Sequence, residues 1–518
     1  MANKSVFASL KGKMLPKADA RNSEGAPAYA YSAEHKLAQL AMTGTFGASF
    51  YKDAQSQVTE LVEAAEAVSP IFLAQTAIHV RERGHMKDTP ALLLAVLSRR
   101  DPELFRATFG RVITSGKMLR VFVQILRSGQ VGRKSLGSRP KAMVQDWLNR
   151  ASDAQLLAAS VGNDPSLADV IRMVHPRPAN AERAAFYAWL IGKPAELQAL
   201  PQVVRDLIAF REGASDVVPD VPFQLLSSLP LSGAQWGEVA RNGSWQMLRQ
   251  GLNMLARKGA FADEAIVAHV AQVLADPGRI KSAKAMPYQL LATYQALDVA
   301  VPFAIATALH DAMEISVANV PELSGKVVVC TDVSGSMSWS VSGYRKGASS
   351  AVRCVDVAGL MTAAVLRRNP RAMVLPFDDK IVDLKLEPRD MILSNAGKLA
   401  AVGCGGTNCS MPLRWLNDHG ITPDVVIFVS DNQSWVDGRK GGQGTAMMRE
   451  WSKIAARNPA ARLVCIDIQP YGTTQAIERS DVLNIGGFSD AVFDQIADFV
   501  AGRMGPDHWV GQIRAVEL

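Results

Sequence analysis

Apolar residues return every three or four positions from about residue 33 to residue 318, in segments such as TPALLLAVLSRR, KMLRVFVQILRSG and FADEAIVAHVAQVLADPG. That spacing lines one face of a helix. Several helix starts carry capping chemistry, with Thr89 before Pro90, Asp101 before Pro102 and Asp164 before Pro165. A side-chain oxygen there accepts a backbone N–H, and the proline that follows has none to waste. Helices of roughly ten to fifteen residues with short connections favour antiparallel neighbours. Many such helices in a row predict stacked pairs, an α-helical HEAT-like solenoid, although no strict period is present and an irregular helical bundle fits the same pattern.

After Pro321 the pattern changes. KVVVCTDVS, PDVVIFVSD and ARLVCIDIQ are short β-branched runs, separated by helical stretches such as VDVAGLMTAAVLRR and AMMREWSKIAARN. Alternation of buried strands and helices predicts a doubly wound α/β domain with a parallel sheet, whose sites lie at the carboxyl ends of its strands. The expected organisation is an N-terminal extension at 1–32, a helical-repeat domain at 33–320 and an α/β domain at 321–518. A chain of 518 residues exceeds one hydrophobic core, which agrees with this division.

Charge separates the two parts further. Residues 321–518 hold 21 Lys+Arg and 21 Asp+Glu, so the whole formal charge of +7 falls in the first 320. In residues 111–150, nine basic side chains (Arg111, Lys117, Arg120, Arg127, Arg133, Lys134, Arg139, Lys141, Arg150) face one acid, Asp146. Such a run is a footprint for a polyanion, or else a solvated helical surface. The five cysteines have no CxxC spacing, which disfavours zinc and a disulfide framework and reads as buried free thiols. No apolar run reaches bilayer length, and the opening MANKSVFASLKGKML lacks the apolar core of a signal peptide; a cytoplasmic protein is expected.

One constellation of hard ligands stands out. The first strand after Pro321 ends in Asp332-Val333-Ser334-Gly335-Ser336, Gly405-Gly406-Thr407 follows later, and VVIFVS ends in Ser430-Asp431. Asp332 brings charge, Ser334, Ser336 and Thr407 bring hydroxyls, and Asp431 acts directly or through water. Few charges and several neutral oxygens suit Mg²⁺ or another hard divalent cation. A strand-end Asp with serines also makes turns and caps, so the motif gains force from the Thr and the second Asp in order. Enzymatic signatures are missing: the stretch from Gly110 to Lys117 has the wrong spacing for a phosphate loop, and no HExxH, GxSxG or GxGxxG occurs in a fitting context. Asp378, Asp379 and Asp383 read more simply as a charged hairpin than as a nuclease cluster, and Gly438 to Gly444 as a glycine-rich loop.

The Asp-x-Ser-x-Ser, Thr and Asp set resembles the metal-ion-dependent adhesion site of von Willebrand factor A domains, where a partner's carboxylate often fills the sixth metal position. Dispersed segments extend the likeness. Gly44-Thr45-Phe46 with Phe50-Tyr51, Gly132-Arg133-Lys134, Lys141 through Asp146-Trp147-Leu148-Asn149, Ile171-Arg172-Met173-Val174-His175, Met247-Leu248-Arg249 through Asn253-Met254-Leu255, GGTNCSMPLRW and SDNQSW are similar to segments of the Ro ribonucleoprotein family. That family joins a helical TROVE domain to an A-like domain. Two departures are present: Asn408 stands where the family has Asp, and the stretch after Arg279-Ile280 continues Lys281-Ser282, with Pro287 only later.

The resemblance implies helical repeats closed into a ring, a non-catalytic RNA-binding role and a basic outer face for small structured Y RNAs. It also implies a central hole for the single-stranded 3′ ends of misfolded RNAs, action as a monomer in RNA quality control, and work with exoribonucleases or RNA-repair enzymes. Arg133, Lys134, Arg139, Lys141, Arg172 and His175 are the expected RNA contacts, and Asp332, Ser334, Ser336, Thr407 and Asp431 the expected Mg²⁺ site. Two other classes keep a place: a protein-binding adaptor whose metal grips a carboxylate, and a metal-dependent RNA phosphatase or nuclease.

Overall fold

The computed structural model describes residues 15–518 except Lys284, Met286, 318–319, 342–351, Cys404, 436–443, 488–489 and Pro506. Cys404 and most of the glycine-rich 438–444 loop therefore lie outside the described residues. Two compact units are present. One comprises the chain to Ala64 with Met286–Ala292 and Met313–Ala515; the other comprises Ala65–Ala285, Thr293–Ala312 and Val516–Leu518.

The second unit is helical. Its helices include Pro70–Glu82, Asp88–Arg100, Pro102–Val112, Gly116–Ser128, Ser138–Arg150, Asp153–Ser160 and Leu167–Val174, and early ones pack on their next and next-but-one neighbours. The helix Gly116–Ser128 shows why. Met118, Leu119, Phe122, Val123 and Leu126 bury one stripe, and Phe122 meets Phe105 and Phe109 with ring centroids 6.0 and 5.5 Å away. Burial of each such side chain contributes about 2 kcal/mol. Gly116 permits a close approach, because a Cβ there would lie 2.1 Å from the Ala159 Cβ.

Serine caps recur. Ser69, Ser115, Ser152, Ser166, Ser232 and Ser244 each accept a backbone N–H in the first turn, and Ser152, Ser166 and Ser232 complete capping boxes. Asp101 caps as expected, accepting from the backbone of Glu103 and Leu104. Thr89 and Asp164 do not cap. The helix at Thr89 already begins at Asp88, and the cap near Asp164 is Ser166, two residues on. A Ser/Thr/Asp-Pro pair marks a turn as readily as a cap, and the chain's path chooses between them.

In the first unit five strands form one parallel sheet. After β1 (Ala20–Arg21) and β2 (Pro27–Ala30) come β3 (Val327–Asp332), β4 (Met373–Phe377), β5 (Val425–Ser430), β6 (Arg462–Asp467), β7 (Thr473–Thr474) and β8 (Val482–Gly486). The order β4-β3-β5-β6-β8 reverses its direction of growth at β3, so the carboxyl ends of β3 and β5 flank the switch point where such sheets bind ligands. β3, β5 and β8 are buried at every position, as a sheet covered on both faces requires. Cys330, Cys354, Cys409 and Cys465 are free and buried, and burial pushes each thiol up, away from reactivity.

A small second sheet, β1-β2-β7, joins the chain's early residues to this α/β unit. The Tyr31 hydroxyl and the Gln39 amide donate to Asp467 Oδ2 at 3.0 and 2.5 Å, and His35 Nε2 lies 3.1 Å from the Asn484 carbonyl. Burial raises the Asp467 carboxyl to about 8 and lowers His35 to about 4. The folded state therefore holds the Asp467 proton where the unfolded chain has lost it. That stability is fully present below the ordinary Asp range and is lost as pH rises through about 8. Below neutrality the neutral His35 acts in the opposite sense. Between pH 6.5 and 9 the melting temperature should fall in the wild type and fall less in Asp467→Asn; equal slopes in scanning calorimetry would remove Asp467 as the cause.

Candidate metal centre and nucleic-acid interface

The hydrophobic run of β3 stops at Asp332, whose buried carboxylate accepts from the Ser334 N–H (2.9 Å) and the Ser430 hydroxyl (2.5 Å). Thr407 Oγ1 donates to Ser334 Oγ at 2.7 Å, and Ser334 Oγ lies 3.4 Å from Ser336 Oγ. Asp431, the residue after β5, is 1% exposed. Its Oδ1 accepts from the Gln433 N–H at 3.3 Å, and the Ser336 hydroxyl lies within its reach. The fold thus brings all five expected metal-site residues to one end of β3 and β5.

The acids of this cluster repel one another in a buried setting. Burial first, then the neighbouring Asp332 charge, raises the Asp431 carboxyl to about 7; burial likewise raises Asp332. Asp431 Oδ2 is buried without a hydrogen-bond partner. Two buried acids, three hydroxyls and one idle carboxylate oxygen fit a hard divalent cation. Among the described residues no group of three or more His, Cys, Asp or Glu side chains is placed to hold a metal, so a cation here would have to draw on the hydroxyls as well as the two acids.

The Gly405-Gly406 pair has a steric reason. A Cβ on Gly405 would lie 2.6 Å from Asp378 Oδ2, and one on Gly406 would lie 2.5 Å from Trp435 Nε1. Asp378 follows β4 in a tight turn closed by the Phe377–Ile381 bridge, so the hairpin reading of that acidic stretch describes its backbone. Its carboxylate is nevertheless buried and bears on Asp332, and its carbonyl accepts from the Asn408 N–H at 2.9 Å.

The basic run divides in the folded unit. Arg120 is buried and donates to the carbonyls of Val161, Asn163 and Pro165 at 2.6, 3.5 and 3.3 Å. Arg111 pairs with Glu82, and Arg150 with Asp146. Arg120 thus braces the fold, while Arg111 and Arg150 are engaged in exposed ion pairs. Lys134 and Arg139 are exposed and Lys141 is half-exposed, with no ion-pair partner among the described residues. Arg133, also half-exposed, donates to Ser98 Oγ at 3.2 Å. His175 is exposed in left-handed backbone at the end of Leu167–Val174. The Gln145 amide ties it to the helix Ser138–Arg150 by donating to the Val174 and His175 carbonyls at 2.5 and 3.2 Å. Lys141 lies one turn before Gln145, so Lys141 and His175 share a neighbourhood. Arg172 turns elsewhere, donating to the Ile191 carbonyl at 2.6 Å and lying 3.6 Å from Asp169.

A family model described as the Ro60 vWA domain matches residues 326–500. The RNA-binding protein RO60 of Deinococcus radiodurans is 26% identical over 532 aligned positions, spanning 95% of this chain and 97% of that protein. The likeness to Ro proteins thus extends over nearly the whole chain. RNA-binding protein RO60 of Caenorhabditis elegans is 26% identical over 202 residues, 39% of this chain and 30% of that protein. The crystal structure of the Deinococcus radiodurans RO (RSR) protein matches in fold with a TM-score of 0.63 at 23% identity, covering 91% of this chain and 100% of that one.

Several Ro-like segments prove to be fasteners. Arg249 Nη1 donates to Thr293 Oγ1 at 2.7 Å, while Asn253 donates to the Ala296 carbonyl (2.6 Å) and accepts from the Asp298 N–H (2.9 Å). Asn408, where the Ro pattern has Asp, accepts from the Ser410 N–H and hydroxyl at 3.1 and 2.7 Å, bracing the start of Met411–Asp418. In the Ro-like segment Gly44–Tyr51, the Ala48 carbonyl accepts from Trp339 Nε1 at 3.1 Å and Tyr51 lies beside the metal cluster. Tyr51 and Glu24 are site neighbours that sequence reasoning did not assign to the cluster, and Asp378, read there as a hairpin acid, is a third. Only the placement of the Phe50-Tyr51 pair within the Ro resemblance carried a signal, and it did not say where the ring would go. Among the described residues no helix is long and apolar enough to cross a membrane.

Proposed function

We propose that this chain is a non-catalytic RNA-binding protein whose helical unit attracts RNA backbones through Lys134, Arg139 and Lys141, with Arg133 and His175 alongside. The observation that carries this reading is that Lys134, Arg139 and Lys141 lie outward with no ion-pair partner among the described residues, while Arg120 is engaged by backbone carbonyls and Arg111 and Arg150 by acids. Guanidinium and ammonium groups neutralise phosphates and release counterions, and His175 donates to a phosphate or stacks on a base. Its similarity along 95% of its length to a protein named as RNA-binding supports the same reading. Arg172 belongs to this face only if RNA draws it from its contact with the Ile191 carbonyl.

The finer assignment rests on the family resemblance. The bound RNAs are small, structured and Y-like, together with misfolded RNAs that offer an unpaired 3′ tail to the ring the resemblance implies. The protein acts in the cytoplasm as a monomer in RNA quality control, beside exoribonucleases or RNA-repair enzymes. Asp332, Ser334, Ser336, Thr407 and Asp431 would hold Mg²⁺, which supplies a hard electrophilic centre able to take a carboxylate. The hydroxyl-rich donor set supports binding.

Purification from cells tests the proposal. Small RNA should co-purify with the protein, and a hairpin with a single-stranded 3′ tail should bind more tightly than its blunt counterpart. A protein free of RNA that binds neither probe in a filter assay ends the proposal. Equal binding of both hairpins ends the tail-selective part of it.

A further inference from the structure

In the first unit β2, the residues after β7 and the helix His508–Arg514 form a cleft of about 320 Å³, whose lining includes Tyr29, Tyr31, His35, Glu478, Asp507 and Arg514. No residue of the metal cluster lines it. Asn484, on β8, sets its acid end. The Asn484 N–H and side-chain amide donate to Glu478 Oε2 at 3.0 and 2.7 Å. The same amide donates to the Ala476 carbonyl at 2.9 Å, and its oxygen accepts from the Thr474 hydroxyl at 2.8 Å, so the Asn484 side chain is held from both sides. One oxygen of Glu478 is thereby fixed. The other, Oε1, accepts no hydrogen bond among the described residues, although the carboxyl is deeply buried. Burial outweighs the two bonds from Asn484 and raises this carboxyl to about 7.

Asn484 also joins this acid to an aromatic wall. Its carbonyl lies 3.1 Å from His35 Nε2, and Tyr31 stacks on the His35 ring with centroids 4.5 Å apart. Burial lowers His35 to about 4, so its imidazole is neutral at physiological pH. The cation that lines the cleft is engaged by other acids: Arg514 Nε donates to Glu34 at 3.0 Å, and its Nη1 pairs with Asp507. Arg479, next in sequence to Glu478, pairs with Asp481 at 2.5 Å. The undescribed residues that flank β8 and the helix His508–Arg514 are Phe488, Ser489 and Pro506, none of them charged. The chemistry of the lining selects among ligands. Anions meet two acids. Among the described residues no three acids gather to cage a bare metal ion. An organic cation gains the idle oxygen of Glu478 for its charge and the walls of Tyr29, Tyr31, Ile477 and Val510 for its carbon chain.

We propose that this cleft binds a primary ammonium ion carried on an alkyl chain, with Glu478 Oε1 as its partner and Tyr31 and His35 as its aromatic wall. Two sources share that chemistry, a free aliphatic amine and the side chain of a lysine. The inference stands apart from the RNA and metal readings given above and survives the failure of either.

Isothermal titration calorimetry of the full-length protein tests this with three probes: n-butylammonium chloride, Nα-acetyl-lysine methylamide and, as the uncharged counterpart, n-butanol. Wild type should bind butylammonium in preference to butanol. It should do so roughly tenfold more tightly at pH 8 than at pH 6, because the amine stays charged while Glu478 must give up its proton. Of the groups around Glu478, His35 stays neutral over this interval, and Arg514, Asp507, Arg479 and Asp481 remain in their pairs. Asp467, which accepts from Tyr31, also titrates near 8, so a variant separates the two acids. Glu478→Gln keeps an oxygen for Asn484 and should melt like wild type at pH 6. At pH 8 it should bind butylammonium roughly tenfold more weakly and lose most of the pH dependence. The lysine derivative binding as well as butylammonium assigns the cleft to a lysine side chain; its exclusion assigns the cleft to a free amine. Equal binding of butylammonium by wild type and Glu478→Gln overturns the proposal. So does butanol binding as tightly as butylammonium, which makes the cleft merely apolar, and so does wild type that binds neither amine. The butanol comparison and the pH ratio are read on wild type alone, so they decide even if the variant fails to fold.

Discussion

Alanine at Lys134, Arg139 and Lys141 together should lower RNA affinity roughly 10- to 100-fold near physiological salt and flatten its salt dependence. Each phosphate that is no longer neutralised should reduce the slope of log K against log salt by about 0.7 to 0.9. None of the three makes an ion pair among the described residues, so the triple variant should fold and melt like wild type. Filter binding across a salt series reads both quantities. An unchanged affinity with an unchanged slope would remove this surface from RNA binding. Arg120 is the internal contrast. Its charge belongs to the same basic run, yet its guanidinium satisfies three backbone carbonyls, so its replacement should act on stability instead.

Asp332→Ala should abolish the thermal stabilisation that Mg²⁺ gives the wild type while leaving RNA affinity unchanged. A ligand at one hundred times its dissociation constant stabilises by about 2.7 kcal/mol, several degrees in melting temperature. The variant should lose that response, because Asp332 is the carboxylate around which Ser334 and Ser430 are arranged. Without cation the balance differs. Wild type buries Asp332 and Asp431 as mutually repelling neighbours, and removing one relieves the other, so part of the cost of the missing hydrogen bonds is offset. Differential scanning fluorimetry with and without Mg²⁺ checks the first claim. RNA affinity that depends on Mg²⁺ through Asp332 would contradict the division of labour between the two units.

Much of the candidate site could be read from the chain because the relevant residues lie on strand ends. A run such as VVVCTD identifies its own terminus, and a parallel sheet places strand termini together. Asp332, Ser334, Ser336, Thr407 and Asp431 followed from that rule and from their order. Tyr51 and Glu24 did not. Their neighbours in sequence carry no metal motif, and they reach the site through hydrogen bonds between positions hundreds of residues apart, such as Asn22 with Ser434 and Trp339 with Ala48. The basic window was legible only in part for a related reason. Nine cations against one acid leaves out Glu82 and the carbonyls of Val161, Asn163 and Pro165, which the fold brings in from outside the window.

Taken by itself, then, the sequence determined the helical and α/β portions, the strands of the large sheet and the oxygen-bearing side chains at its ends. Apolar periodicity and side-chain type are properties of neighbouring residues, and helices and strands answer to them directly. Only the tertiary structure decided that Ser166 and not Asp164 caps its helix, that residues 20–30 add strands beside β7, which basic side chains form ion pairs among the described residues and that Tyr51 donates to Glu24. Those outcomes depend on long-range packing, where burial and hydrogen-bond satisfaction select one partner among many that local sequence allows equally.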